Sequence, residues 1–569
     1  NATADATAEF RDAATITTIN LNDTSSGGQA EVTFNALGTA RTVGANINGG
    51  GAGQGKLIVK DGTANSAAEA ITFSANVGTT SLLAIEVGSA TEAGAAIFSG
   101  TVSAQTIDLI GGDNSAETAL ATFTGNITAN AITLDDGSAQ AQLTVDSTAG
   151  AIAVAGTING VGGAEGDLII IDGTAGAAGD LVTISGIVGG SQEIDTIQVG
   201  SAAGNTAGNA LFTSAVSATN IILDGGNAGE TATAEFRNAI TASAITLDVN
   251  GGGAATLTVN ALNGAQTVAG TIRGGSDGDG ILAVIDGDAD AAPQAITFSG
   301  AVGGGGNGLG SITVGSSTQA GSAIFTGAIT KVGTVTITGG DNAAEDSVAE
   351  FANVVTAATS FTLDDTAGGG EATLKFDAGA GAVGIAGNII AATAGEGTVI
   401  IVDENSTAGD ILTFAGNIGA AGAVGDINIG NATDAGNAIF SGTVNATNVT
   451  LLGAESANEA AVARFDAATT ITTLTLTGGG NATADATAEF RNSAALTTIT
   501  LDDVTGQAEV TFNATNGAQT VAAAIDGGAA GEGKLIVIDD DAGAAAQAIT
   551  FTTNVGATNS PLAIEIGTI

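Results

Sequence analysis

The residues of this sequence that are best suited to chemistry are acidic side chains that recur in turns. The densest group is Ser276-Asp277-Gly278-Asp279-Gly280, which Asp286, Asp288 and Asp290 follow. Oxygen-rich turns suit Ca²⁺, which takes about 6–8 oxygen ligands at roughly 2.3–2.6 Å. The spacing matches neither the glycine-rich calcium nonapeptide nor the helix-flanked calcium loop. Two interpretations therefore remain: solvated turn residues that keep the protein soluble, or a Ca²⁺ site formed by Asp277, Asp279, Asp286, Asp288 and Asp290.

Residue sets for catalysis are weakly represented. The chain has no His, Cys, Met, Trp or Tyr, so neither a Ser/His/Asp nor a Cys/His set can form. Adjacent carboxylates such as Asp135 and Asp136 point to opposite sides of a strand, unlike the facing pair that glycoside hydrolysis uses. We assign no catalytic residue and predict that the protein is not an enzyme. A polysaccharide-processing β-helix enzyme is the distant alternative.

The charge of the chain excludes several classes of partner. There are 11 Lys and Arg against 58 Asp and Glu, which gives a formal net charge of −47. Such a surface repels nucleic acid and anionic membranes. No apolar run reaches the roughly 18 residues that a membrane span needs. We therefore expect no nucleic-acid partner and no membrane insertion. An acidic surface suits a secreted protein in a salt-containing medium, so we expect an extracellular or cell-surface location.

A repeated unit carries these acidic turns. It consists of an apolar head, a glycine break, a second alternating run and a turn, as in residues 321–341. The heads are Phe10, Val43, Phe73, Phe98, Phe123, Val154, Ile184, Phe212, Phe236, Val268, Phe298, Phe325, Phe351, Ile385, Phe414, Phe440, Phe465, Phe490, Val521 and Phe551. We interpret each head as one coil, which predicts about 20 coils.

A longer period is superimposed on the heads. Phe98, Phe212, Phe325 and Phe440 are 114, 113 and 115 residues apart. Five super-repeats follow, at approximately 1–113, 114–226, 227–341, 342–455 and 456–569. The string NATADATAEFR occurs at both 1–11 and 481–491, which indicates one extra coil near Phe465.

The repeat predicts an all-β fold. Apolar and polar residues alternate with a period of two, which is typical of strands. A spacing of 25–33 residues is too short for a propeller blade and suits a coil of a parallel β-solenoid, or β-helix. We predict a single continuous solenoid over 1–569, with the heads stacked as ladders in the core. An extra strand in the long steps places Phe34, Phe376 and Phe512 in the core of an added or widened corner.

A family resemblance agrees with this fold. The segments AITFSGAVGGGGNGLGSITVG (295–315) and AIFTGAITKVGTVTITGG (323–340) resemble the repetitive passenger regions of large bacterial surface proteins. These are autotransporter and haemagglutinin-like adhesins and the rickettsial surface-antigen type. The resemblance covers the whole chain and implies an exported rod, with cell-surface glycans as possible partners.

The two ends match one another in register. Phe212 follows Gly200 by 12 residues, and Phe10 of a second copy would follow Gly567, through Ile569, by the same number. Either copies of the chain stack head to tail, or the sequence is a window on a longer repeat protein. For stacking, the expected interface residues are Asn1, Ala2, Thr3, Phe10, Ile564, Ile566, Gly567 and Ile569.

These observations favour a non-enzymatic extracellular structural protein. It would form a head-to-tail filament, a fibre of a biofilm matrix or a component of a surface layer, with Ca²⁺ as the one cofactor considered. The alternative is the rod-like stalk of a bacterial adhesin.

Overall fold

The structure is a computed structural model. It describes residues 5–567 with the exception of 13–15, 24–26, 64–65, 175–178, 202–205, 228, 251, 289–291, 354, 356–357, 367–368, 380, 382, 405–409, 455–458 and 541–546. The chain divides into two compact units, one of residues 1–263 and 267–282 and the other of 264–266 and 283–569. The five super-repeat boundaries stay a prediction.

The fold is a parallel β-solenoid of about 21 turns with almost no helix, as the sequence predicts. The first strands are Ala6–Phe10 (β1), Thr18–Leu21 (β2), Ala30–Asn35 (β3), Arg41–Val43 (β4), Asn46–Gly49 (β5), Lys56–Lys60 (β6), Ile71–Phe73 (β7), Val77–Gly88 (β8), Gly94–Phe98 (β9), Val102–Ile110 (β10), Ala119–Phe123 (β11), Ile127–Asp135 (β12), Ala141–Asp146 (β13), Ile152–Gly160 (β14), Asp167–Ile171 (β15), Leu181–Ile184 (β16), Ile194–Val199 (β17), Gly208–Phe212 (β18), Val216–Gly225 (β19), Ala232–Phe236 (β20), Ile240–Val249 (β21), Ala255–Asn260 (β22), Gln266–Gly274 (β23) and Asp279–Ile285 (β24).

The strands continue with Ala295–Phe298 (β25), Leu309–Val314 (β26), Ser322–Phe325 (β27), Val332–Thr338 (β28), Ser347–Phe351 (β29), Ala358–Asp364 (β30), Ala372–Asp377 (β31), Val383–Ile385 (β32), Asn388–Ala391 (β33), Glu396–Val402 (β34), Leu412–Phe414 (β35), Val424–Ile429 (β36), Asn437–Phe440 (β37), Val444–Leu452 (β38), Ala461–Phe465 (β39), Thr469–Thr477 (β40), Ala486–Phe490 (β41), Ala494–Asp502 (β42), Ala508–Asn513 (β43), Gln519–Val521 (β44), Ala524–Gly527 (β45), Lys534–Ile538 (β46), Ile549–Phe551 (β47) and Ala563–Ile566 (β48). Short 3₁₀ turns cover Ser147–Ala149 and Ala514–Asn516.

Within each unit the Phe heads stack as in-register ladders. Phe73, Phe98 and Phe123 are ladder partners in β7, β9 and β11, and their rings stack with centroids 5.0 and 4.8 Å apart. Every second residue of these strands points inward, because the side chains of a strand alternate between its two faces. The result is a buried core of Phe, Ile, Leu, Val and Ala.

The interpretation of every head-to-head step as one coil is confirmed for steps of about 30 residues or fewer, such as Val43 to Phe73, and is wrong for the longer steps that contain an added strand. Phe123 pairs with Val145 of the added strand β13, whereas the next head, Val154, pairs with Ile127 of β12. Strand β13 has the inward spacing of a head and stacks on β11 one turn later. The head that follows lies in the next column of stacked strands, on β12. A step of this kind is therefore one turn plus a shift between columns, and these shifts account for about 21 turns against 20 heads.

The three extra phenylalanines lie in such added strands. Phe34, Phe376 and Phe512 are buried in β3, β31 and β43, so their core placement is confirmed, although they occupy regular strands and not a corner. Their rings pack on the preceding heads, with centroid distances of 5.2 Å to Phe10, 5.7 Å to Phe351 and 5.4 Å to Phe490.

A glycine lies at the start of one strand in each of the five predicted super-repeats. Gly166 precedes β15 with φ +81°, and a Cβ built there would lie 2.1 Å from Cβ of Leu134 in the coil before it. Both the left-handed backbone and the close approach require a residue without a side chain. Gly55, Gly280, Gly397 and Gly533 occupy the same position with φ of 78–80°.

Candidate functional site

The last described coil presents apolar side chains to solvent. Its strands β47 and β48 carry Ile549, Phe551, Ile564 and Ile566 in the alternating positions that face the core in other coils. The exposed fraction is 52% for Ile564 and 80% for Ile566. With residues of the preceding coil these side chains line an open cavity of about 490 Å³.

An internal coil of nearly the same sequence supplies a direct comparison. Residues 549–567, ITFTTNVGATNSPLAIEIG, match residues 71–88, ITFSANVGTTSLLAIEVG, with one inserted residue between the two strands. There, Ile71, Phe73, Ile85 and Val87 are completely buried. The internal coil is covered because β9 pairs with β7 and β10 pairs with β8. The exposure at 549–566 is therefore a consequence of position along the solenoid and not of composition.

The first described coil shows the same contrast. The pentapeptide ATAEF forms β1 at 6–10 and β41 at 486–490. In β41 its Ala and Phe residues are buried, because β39 pairs with one edge and β43 with the other. In β1 the first four residues are exposed and Phe10 is half-buried, with β3 as its parallel partner. One face of this coil is thus open.

The expected interface residues are only partly covered by the structure. Phe10, Ile564, Ile566 and Gly567 lie on the two open coils described above. The remaining residues of that prediction lie outside the described part of the chain: Asn1, Ala2, Thr3 and Ile569. The head-to-tail interface itself stays a prediction. The strand edges agree with it, since β48 is the last strand of its sheet and β47 forms a two-stranded sheet with β44.

Several recurring aspartates close loops. The carboxylate of Asp172 accepts the backbone N–H groups of Thr174 at 2.8 Å and Asp180 at 2.7 Å, which ties together the two ends of the loop between them. Asp61 and Asp286 hold equivalent loops. Burial disfavours the charged form of Asp172, but these donors outweigh it and lower the pKa of Asp172 below its ordinary value.

A second group of aspartates joins consecutive coils. Asp136 accepts the N–H of Ala141 in its own coil at 2.7 Å and the N–H of Gly166 in the next coil at 3.0 Å. Three further carboxylates do the same: Asp23 for Ala30 and Gly55, Asp365 for Ala372 and Gly397, and Asp503 for Ala508 and Gly533. In the sequence, Asp136 stands out only as one of two adjacent carboxylates, which does not predict this role.

The acidic cluster predicted to hold Ca²⁺ is divided by a strand. Asp277 lies in the turn before β24 and Asp279 is the first residue of that strand, whereas Asp286 and Asp288 follow its last residue. A strand of 7 residues separates the two pairs by about 20 Å at roughly 3.3 Å per residue. Asp290 lies outside the described residues. One ion cannot contact both pairs, and Asp286 already accepts the N–H groups of Asp288 and Gln294. Calcium at either turn stays a prediction.

Three other carboxylates converge that the sequence did not single out. Ligand atoms of Glu350, Asp377 and Glu404 all lie within 4.8 Å of one another. Lys375 Nζ lies 3.3 Å from Glu350 and also forms an ion pair with Glu404. Burial disfavours the charged Lys375, but the hydrogen bond to Glu404 and the charges of both glutamates outweigh it and raise the pKa of Lys375. This lysine thus neutralises part of the cluster.

The signal that distinguishes this cluster is the combination of Asp377 with Lys375, because the equivalent strands, including β13 with Asp146, carry Thr in the place of the lysine. Asp377 occupies a position that is Asn in three other repeats, where the Asn Nδ2 donates to a Glu one coil earlier: Asn35 to Glu9 at 2.9 Å, Asn260 to Glu235 at 2.8 Å and Asn513 to Glu489 at 2.8 Å. A carboxylate cannot donate in this way, and Lys375 supplies the positive charge beside Glu350 instead.

One further carboxylate is unusual in its environment. Asp167 is 9% exposed, and Gln140 Nε2 donates to it. Burial raises the pKa of Asp167 to about 6, with the nearby charges of Asp195 and Asp136 adding to the effect. Lys56 and Lys534 occupy the same position after the glycine in other repeats.

Two findings complete the description of the site. In the part of the chain that the structure describes, no helix is long and apolar enough to cross a membrane. Comparison with family models, curated proteins and solved structures gives no match to this chain.

Proposed function

We propose that this protein is a non-enzymatic, extracellular structural protein whose solenoid is extended by stacking coil on coil, head to tail, into a filament, a matrix fibre or a layer. The observation that carries the proposal is the exposed coil 549–566. Its inward positions carry the same or similar residues as those of the buried coil 71–87, but here these side chains are exposed to solvent.

Covering that coil is energetically favourable. Complete burial of an Ile or Phe side chain contributes roughly 1.5–3 kcal/mol, and at least Ile564, Ile566 and Phe551 would gain from it. The free edge of β48 also offers unpaired backbone N–H and C=O groups, which are a template for another strand. A solenoid coil satisfies both requirements at once, because it brings an apolar face and a parallel strand edge together.

The use of the acidic residues supports a structural role over a catalytic one. Many carboxylates accept hydrogen bonds from backbone N–H groups within the fold, among them those of Asp61, Asp136, Asp172 and Asp365. Such carboxylates stabilise turns and junctions between coils, and they are not available as a pair of acids facing a substrate.

The charge of the chain sets conditions for assembly. Two molecules of net charge −47 repel each other unless salt or divalent cations screen them. We therefore expect assembly to increase with ionic strength and with Ca²⁺, conditions that also suit a location outside the cell.

The test is a comparison of two charge-matched variants of the chain 1–569. Ile566→Asp places a charge in the exposed coil, and Val504→Asp places one on a side chain that is 61% exposed in a loop of the same unit. Sedimentation and electron microscopy in salt and Ca²⁺ should show assemblies for the unchanged chain and for Val504→Asp, and dispersed molecules for Ile566→Asp.

Two results would contradict the proposal. One is an unchanged chain that stays monomeric in every buffer, and the other is an Ile566→Asp variant that assembles like the unchanged chain. Denaturing electrophoresis of the natural material separates stacking from the stalk of a longer adhesin. A single band near 53.9 kDa supports stacking, and a much larger chain supports the stalk.

A further inference from the structure

We infer that the open coil 549–566 accepts the N-terminal coil of a second copy in one defined register, with Phe551 against Phe10, Ile564 against Ile19 and Ile566 against Leu21. This inference rests on the proposed function and specifies its junction. All six residues lie in described strands.

The register comes from the internal coil that matches 549–566. In that coil Phe73 pairs with Phe98, Ile85 with Ile107 and Val87 with Leu109 of the coil that covers it. Phe551, Ile564 and Ile566 are the counterparts of Phe73, Ile85 and Val87. The covering coil must therefore offer a Phe head followed, 9 and 11 residues later, by two large aliphatic residues, as Phe98, Ile107 and Leu109 do.

The N-terminal coil meets this requirement. Ile19 and Leu21 follow Phe10 by 9 and 11 residues. Its strand β1 has the sequence of β41, which accepts β39 with Ala461 against Ala486 and Phe465 against Phe490. The rings of Phe465 and Phe490 stack at 4.7 Å with an interplanar angle of 6°. We expect Phe551 and Phe10 to stack in the same manner.

The outward side chains are compatible with this register. It places Thr550 beside Glu9 and Glu565 beside Asn20, so neither pair brings two like charges together. A slip by one residue would turn the apolar side chains of one coil toward water. A slip by two residues would preserve the inward side but place Phe551 against Ala8, which would leave a void beside the ring.

The absence of cysteine from the chain permits a clean cross-linking test. Glu565→Cys in one copy and Asn20→Cys in another would be direct neighbours in adjacent parallel strands. Their Cα atoms would lie about 4.8 Å apart, within the range of roughly 4.4–6.8 Å that a disulfide spans. Thr18→Cys serves as the register control, because Thr18 and Asn20 lie on the same exposed face of β2 about 6.6 Å apart.

The expected result is a disulfide-linked dimer when the Glu565→Cys chain is mixed with the Asn20→Cys chain, with at least a fivefold lower yield for the Thr18→Cys chain. A chain with Glu86→Cys and Asp108→Cys calibrates the reaction, since those residues are ladder partners within one molecule. The rate at which its thiols are lost should be comparable to the rate at which the disulfide-linked dimer forms.

The other outcomes are separable. Equal or faster cross-linking through Thr18→Cys overturns the register while assembly stands. Assembly by sedimentation without cross-linking through either residue places the junction elsewhere and also overturns this inference. If the unchanged chain remains monomeric in salt and Ca²⁺, the proposed function fails together with the inference.

Discussion

Ile566 and Val87 occupy the same position in two coils of nearly the same sequence, yet Ile566 is 80% exposed and Val87 is completely buried. The difference comes from the neighbouring coil alone. In a repeat protein each unit is stabilised by its own contacts and by the interface to the next unit, so a coil with one neighbour lacks part of its stabilisation. This relationship is the physical basis of the stacking that we propose.

The hydrogen bonds of the Asp136 carboxylate to two consecutive coils should contribute measurably to the stability of their junction. In Asp136→Asn one oxygen still accepts an N–H, but the amide nitrogen faces the other N–H and leaves it unsatisfied. We expect a loss of about 1–3 kcal/mol, concentrated at this junction. Hydrogen exchange should accelerate at Ala141 and Gly166. Asp113→Asn, in an exposed turn, removes the same charge and should leave these amides unchanged. Equal effects of the two variants would refute the bridging role.

The protonation of Asp167 should make one region sensitive to pH. Its pKa in the folded protein, about 6, is above the ordinary value of 3.8, so the ionised form destabilises the fold. This stabilising contribution of the proton is present in full below pH 3.8 and is lost as the pH rises through 6. After allowance for solvent screening, we expect a change of about 1–2 kcal/mol.

Asp167→Asn, which resembles the neutral form, should therefore stabilise the protein relative to the unchanged chain at pH 8 and have little effect at pH 4. Hydrogen exchange of β15 at the two pH values measures this difference. Since the net charge of the whole chain also changes with pH, Asp113→Asn provides the baseline. The explanation fails if Asp167→Asn gives the same difference at both pH values.

Removal of a core ring should produce a local defect. Phe325 is 1% exposed and stacks between Phe298 and Phe351, with centroids 4.9 and 5.1 Å away. We expect Phe325→Ala to cost about 3–5 kcal/mol. Exchange should rise in β25, β27 and β29 and not in β41 and β43, because a coil contacts only its neighbours. Ile324→Ala alters the outward side chain next to it and should cost less. Uniform loss of protection throughout the second unit would contradict this view.

The glycine before β15 should resist substitution more strongly than an open glycine. Gly166→Ala adds a Cβ that meets Leu134 at 2.1 Å and also strains a backbone with φ +81°. Gly278→Ala has a similar φ of +87° but no atom within 4 Å of the new Cβ. We expect the control to cost about 1 kcal/mol from backbone strain, and Gly166→Ala to cost at least twice that. Similar melting temperatures for the two variants would show that the close approach is unimportant.

Much of the architecture could be predicted from the pattern of residues. Alternation of apolar and polar residues with a period of two, interrupted by Gly and Asn, predicts strands. The regular spacing of the heads predicts that these strands stack on one another. The ladder from Phe73 to Phe123 follows directly from equal steps of 25 residues. The burial of Phe34, Phe376 and Phe512 could also be inferred, because each lies in the inward phase of an apolar strand.

The partner of each strand could not be predicted in this way. Two segments after Phe123, around Val145 and Val154, have the same inward spacing. The sequence does not indicate which of them pairs with the strand of Phe123. The roles of the acidic turns could not be predicted from the sequence either. Asp136 and Asp286 look alike in sequence, but one bridges two coils and the other closes a loop, because their N–H donors come from different parts of the chain.

By itself the sequence determined the class of fold, the identity of the core residues and the acidic character of the surface, because these depend on alternation and composition along short stretches. Only the tertiary structure decided which strands pair and which carboxylates accept hydrogen bonds from backbone N–H groups. Those properties depend on contacts between residues 22–30 positions apart, where the same local pattern is compatible with more than one neighbour.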